Sequence, residues 1–160
     1  MSIYAVEIPH QRKPIAWVAD DEADFIVKVA AVDHELPIEA TFEDAVAATR
    51  RDLSSLHVFR SADDAARGYL KGWDGHQSAA AMDALLAEVA RRDYEIEDPR
   101  LRLQIVGAVW DRARDEEREV AGSAYDAAKA AAEAGMPEAQ IAEALGVNRL
   151  TVRRALGKMA

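Results

Sequence analysis

Cysteine is absent from the chain. That excludes disulfides and thiolate metal sites, and it fits a reducing compartment. Aromatic residues are scarce, at 6% of the chain, although half of it is hydrophobic. A hydrophobic half is too much for a disordered chain, but alanine supplies a large part of it. Alanine-rich helices bury little area each, so a core requires close packing of helix on helix or helix on sheet. Long apolar runs are also missing: none approaches the ~20 residues that span a bilayer. The opening "MSIYAVEIPHQRK" lacks the basic-then-apolar order of a signal peptide. The expectation is a soluble, cytoplasmic protein with no membrane partner, built from one or two small domains within 160 residues.

Positive charge is in short supply, with 20 Lys and Arg against 29 Asp and Glu. The deficit is local. Residues 1–119 hold 15 basic and 25 acidic side chains, whereas residues 120–160 hold five basic and four acidic. Residues 146–160 contain Arg149, Arg153, Arg154 and Lys158 and no acid. An acidic body disfavours indiscriminate adsorption to phosphate. A local basic helix can still bind, because cation–phosphate contacts act at short range under physiological screening.

The pattern predicts an α+β fold: a small N-terminal mixed β/α module, then a helical region that ends in three helices. Residues 3–8, "IYAVEI", and 15–19, "IAWVA", are β-prone and short. "FIVKVAAV", 25–32, reads as a third strand, with a helix starting near Asp20 as the alternative. "TFED" is a capping box in which Asp44 reaches back to the Thr41 amide. Phe42, Ala45, Val46, Thr49 and Leu53 follow at helical spacing and are expected to face the sheet. "LHVF", 56–59, alternates as a strand, and "SADD" opens a helix from Ser61 to about Leu70. The expected order is β-β-β-α-β-α over residues 1–72, closed by the glycine-bearing "KGWDGH".

Residues 73–119 are expected to connect or assemble. One amphipathic helix covers 77–92, with Met82, Leu85, Leu86 and Val89 on one face. Asp98 and Pro99 suit the cap and first position of the next helix, which carries Leu101, Ile105, Val109 and Trp110. Leu85/Leu86/Val89 and Leu101/Ile105/Val109/Trp110 are faces either for self-association or for packing on the front module. "DRARDEERE", 111–119, is a solvated helical rod or a connector. The third region, 120–160, starts with a helix to about Ala134 that Gly135 stops.

"PEAQIAEALGVNRLTVRRAL", 137–156, carries the most information. Pro137 suits a helix start, and Ile141, Ala142 and Leu145 share a face. Gly146 follows where a left-handed turn would strain a side chain. Val147 plugs the core behind the turn, Asn148 is a good N-cap, and Val152 and Leu156 turn inward. The stretch resembles the helix-turn-helix superfamily, with Ala142, Gly146, Val147 and Val152 in the family's small, turn and apolar places. It is most similar to the C-terminal reader of resolvase and invertase-type recombinases and of many phage and plasmid regulators, with their pattern (M/L)-x-x-x-x-I-A-x-x-L-G-V-x-x-x-T-V-x-R. The likeness covers residues 120–158, about a quarter of the chain.

That resemblance implies a second helix in the major groove of double-stranded DNA. Asn148, Arg149, Leu150, Arg153 and Arg154 would stand outward, the arginines able to reach guanine O6 and N7. Thr151 and Lys158 would meet phosphates. The implied function is a sequence-specific transcriptional regulator of bacterial, phage or plasmid type, whose useful affinity requires a homodimer on two half-sites or a second DNA-binding element. The likeness stops at the reader. Residues 1–119 are acidic and follow a different element order from the serine-bearing, arginine-rich catalytic domain of a recombinase, so no recombination is inferred.

The remaining signals are slighter. His10, His34, His57 and His76 are scattered without metal-ligand spacing. The carboxylate runs at 20–22, 63–64 and 115–117 read as helix starts, turns and rods. "GWDGH" lacks phosphate-loop spacing and reads as a turn around Trp73. No nucleophile motif, metal site or cofactor site is assigned, and no catalytic residue. The front module, through its expected β-β-β-α-β order and on Thr41, Glu43, Asp44, Ala45 and Leu53, has a fainter likeness to HicB-type antitoxins, although that family's glycine-rich "LPGC"-like segment is absent. It implies an alternative role: an antitoxin or adaptor whose N-terminal module binds a protein partner while the C-terminal domain autoregulates.

Overall fold

The computed structural model describes residues 2–9, 14–52 and 54–158; His10 and Leu53 lie outside the described residues. The elements are β1 (Ile3–Ile8), β2 (Ile15–Ala19), α1 (Glu22–Val32), α2 (Phe42–Arg51), β3 (Ser55–Phe59), α3 (Ala62–Leu70), α4 (Ala79–Arg91), α5 (Pro99–Glu133), α6 (Glu138–Leu145) and α7 (Arg149–Ala155), with a 3-10 turn at Asp93–Glu95. The chain is α+β, as its pattern predicts. It divides into two compact units, 1–109 and 110–160.

In the first unit the strands form one antiparallel sheet in the order β2-β1-β3. Strand side chains alternate between faces, and both faces of β1 are covered. Ile3 and Ala5 face one core with Phe59, Ala65, Leu85, Val89, Leu101 and Ile105. Tyr4, Val6 and Ile8 face the other with Phe25, Val29, Ala45 and Ala48. Register explains the sorting: Ile3 sits opposite Phe59 and Ala5 opposite Val18, while Tyr4 sits opposite Ala19. The result is a three-layer arrangement, with α1 and α2 on one face and α3, α4 and the start of α5 on the other.

The expected third strand is a helix, so the order is β-β-α-α-β-α rather than β-β-β-α-β-α. Asp21 caps α1 by accepting from the Asp24 amide, and Glu22 and Asp24 occupy the first turn, where acids suit the helix dipole. Phe25 and Val29 lie at i and i+4 and are buried, whereas Val27 between them is exposed. The β-branched residues that suggest a strand are thus outweighed by a capped start and a helical burial period. This change also removes the β-β-β-α-β order on which the antitoxin likeness partly rests. The Thr41 capping box forms as expected: the Thr41 hydroxyl accepts from the Asp44 amide at 3.2 Å, and Asp44 accepts from the Thr41 amide at 2.9 Å.

The boundaries expected after residues 72 and 119 fall inside the two observed units. Leu85, Leu86, Val89, Leu101 and Ile105 belong to the same core as the sheet, so α4 and the first turns of α5 complete the front module. These faces are therefore not available for self-association, and only Val109 and Trp110 of the two suspected sets are exposed. Glu7, nearly buried on β1, accepts the Ser78 amide at 3.1 Å and ties the start of α4 to the sheet. α5 continues without a break through "DRARDEERE", whose side chains are all exposed. Same-helix ion pairs line this rod, among them Arg112–Glu116 at 3.0 Å and Arg118–Asp115 at 2.9 Å. No helix among the described residues is long and apolar enough to cross a membrane.

In the second unit, α6, α7 and the end of α5 enclose Ala128, Ile141, Ala142 and Val152, with Ala131, Ala132 and Leu156 packed beside them. Small side chains permit this close approach.

Candidate nucleic-acid interface

The turn between α6 and α7 is built from local chemistry. Gly146 ends α6 in the left-handed region at φ 65°. The Val147 amide donates to the Ala142 carbonyl at 3.0 Å, and the Gly146 amide to Glu143 at 3.1 Å. This is the paired closure that satisfies the last carbonyls of a helix, and its left-handed backbone at Gly146 strains any residue that carries a Cβ. Asn148 then caps α7: its Oδ1 accepts from the Thr151 amide at 2.8 Å and from the Thr151 hydroxyl at 3.1 Å.

Val152 is buried and fixes how α7 is rotated. At about 100° per residue, Leu150 and Arg154 point away from the core, and Arg149 and Arg153 form a flank one i,i+4 step long. Leu150 is exposed at 43%, and Arg154 is exposed and makes no ion pair among the described residues. Of the seven residues singled out in the sequence, Arg149, Leu150, Arg153, Arg154 and Lys158 are on the surface of this unit. Asn148 and Thr151 are there too, but their side chains are spent on each other, so the Thr151 hydroxyl donates to the cap.

Glu138 is the residue that linear reading misses. It is the first residue of α6, and its side chain is only 17% exposed. Its carboxylate accepts from Lys158 Nζ at 3.0 Å and from Arg149 Nε at 3.2 Å, and it stands 3.9 Å from Arg153 Nε. The Lys158 hydrogen bond foremost, opposed in part by desolvation and aided by Arg149, holds the Glu138 carboxyl below its ordinary range. The acid-free run of the sequence thus acquires an acid in space. A count along residues 146–160 stops eight positions short of it, and the hairpin of α6 and α7 brings it back.

The weaker sequence candidates resolve into structural roles. Asp63 accepts the Glu97 amide at 2.8 Å, and Asp64 accepts the Arg60 amide at 3.0 Å. Trp73 lies in a turn and packs against the first core, its ring centroid 6.0 Å from that of Phe59. Among the described residues no three His, Asp or Glu side chains cluster as metal ligands. In comparisons with known proteins, no family model, no curated protein and no solved structure matches the chain.

Proposed function

We propose that the protein is a sequence-specific double-stranded-DNA-binding protein, a transcriptional regulator of bacterial, phage or plasmid type. In this reading the end of α5, α6 and α7 form a tri-helical helix-turn-helix domain, and α7 enters the major groove. The observation that carries it is the left-handed Gly146 followed by an Asn148-capped helix that buries Val152 and directs Leu150 and Arg154 outward. Arg154 is the first choice for a bidentate contact to guanine O6 and N7. Leu150 is suited to a thymine methyl group, while Arg149, Arg153 and Lys158 flank the groove at phosphate. The role assigned is binding, with no catalytic step. One such helix reads only a few base pairs, so two copies on two half-sites are the expected working form.

The test is selection from randomised duplex DNA, followed by sequencing of the retained pool. A recurrent motif with two-fold symmetry supports the reading and its dimer. Arg153→Ala combined with Arg154→Ala is expected to abolish retention while circular dichroism stays unchanged. Equal retention by the double variant would overturn the assignment of α7 as reader.

A further inference from the structure

Three of the four cations in residues 146–158 converge on one carboxylate. Glu138 meets Lys158 at 3.0 Å, Arg149 at 3.2 Å and Arg153 at 3.9 Å, whereas Arg154 stands apart without an ion pair among the described residues. The division follows the rotation of α7: the flank faces Glu138, and the outward ridge does not. Each guanidinium presents its Nε to Glu138, and the terminal nitrogens of Arg149 and Arg153 have no other partner among the described residues. A guanidinium has five donors in a fixed fork, so the carboxylate occupies one edge and leaves the other for a ligand.

We propose that Glu138 is a specificity-determining residue of this interface, one that weakens binding to arbitrary DNA while leaving the outward reading ridge of Arg154 and Leu150 unopposed. The inference rests on the DNA-binding reading above. Non-specific binding draws almost wholly on cations exchanging counterions at phosphate. A cation already held by Glu138 must give up that contact, or share a phosphate with a nearby negative charge, so each flank contact is worth less. A base-edge contact by Arg154 carries no such penalty. Flank contacts make up a larger share of non-specific than of specific binding, so this penalty raises the ratio of specific to non-specific affinity.

Fluorescence anisotropy on the full chain tests this, with a duplex recovered by selection, a duplex of scrambled sequence and a series of salt concentrations. Glu138→Gln keeps the side chain's shape and removes its charge. The variant is expected to bind the scrambled duplex about tenfold more tightly at low salt, with a log–log salt slope steeper by about 1, as one added phosphate contact implies. Affinity for the selected duplex should change less, so discrimination falls. Unchanged or weaker binding of the scrambled duplex by a folded variant overturns the inference alone, provided the unsubstituted protein binds. If the unsubstituted protein binds neither duplex, the DNA reading fails and the inference fails with it. A second measurement needs no substitution: the carboxyl carbon resonance of Glu138, followed by pH titration, should move to a higher titration midpoint when scrambled duplex is added. A resonance that does not move overturns the proposal.

Discussion

The first unit buries rings, whereas the second buries little more than methyl groups. Phe25 lies with its ring centroid 5.3–5.4 Å from those of Tyr4, Trp17 and Phe42, and a second layer of Leu, Ile and Val closes the opposite face of the sheet. The second unit relies on Ala128, Ile141, Ala142 and Val152, beside an open cleft of about 180 Å³ lined by Ala127, Ala131, Met136, Ile141 and Leu145 among others. Surface charge differs as well. Residues 1–109 hold 12 basic and 20 acidic side chains against eight and nine in residues 110–160, where Arg149 and Lys158 are held by Glu138. A large core can hold a scaffold whatever its surface does. A small alanine core suits two short helices that must cross closely and keep their outer faces free.

Substitutions can break or sharpen this contrast. Phe25→Ala is expected to cost about 3–5 kcal/mol, because a fully buried ring is lost from an aromatic cluster. Denaturant unfolding should show the midpoint of the first unit falling. Ile141→Ala is expected to cost about 2–4 kcal/mol, and its consequence is larger relative to the core that remains. Residues 110–160 should then lose amide protection in hydrogen exchange while β1 keeps its own; loss in both units together would refute two separate cores. Gly146→Ala, which forces a Cβ into φ 65°, is expected to cost about 1–2 kcal/mol, read as a lower thermal midpoint for the second unit only.

The smallest effect concerns acid. The Glu138 carboxyl has a folded pKa below its ordinary value of 4.5, caused first by the Lys158 hydrogen bond. A lowered folded pKa means that the stabilisation is present above about pH 4.5 and is lost as pH falls through the folded value. The first unit carries the same dependence at Glu95, held low by Arg92, and at Asp44, held low by the Thr41 amide. Unfolding measured between pH 5 and pH 2 should therefore soften both units. Glu138→Gln should flatten the response of the second alone.

Local signals in the sequence carried far. The Thr41 and Ser61 caps, the Asp98–Pro99 start and the Gly135 and Gly146 stops are all where their short-range chemistry predicts. "FIVKVAAV" misled because β-branched residues suit either element, and what decides between them is whether Asp21 can cap and whether Phe25 and Val29 have an inward face. The amphipathic stripes of α4 and α5 announced burial without naming a partner, since an apolar face reads the same against a sheet as against a second copy.

By itself, then, the sequence determined the capped starts at Thr41, Ser61, Asp98 and Asn148, the glycine stops at Gly135 and Gly146, where positive charge collects, and that Val152 faces in while Arg154 faces out, because caps, turns and periodicity act over a few residues. Tertiary structure alone decided that α4 and the start of α5 complete the first core, and that Glu138 stands among the cations eleven to twenty positions away. Those outcomes depend on which elements approach through space. The pairing of Glu138 with α7 follows from the crossing that Ala142 permits and Gly146 turns, a distance that no count along the chain can measure.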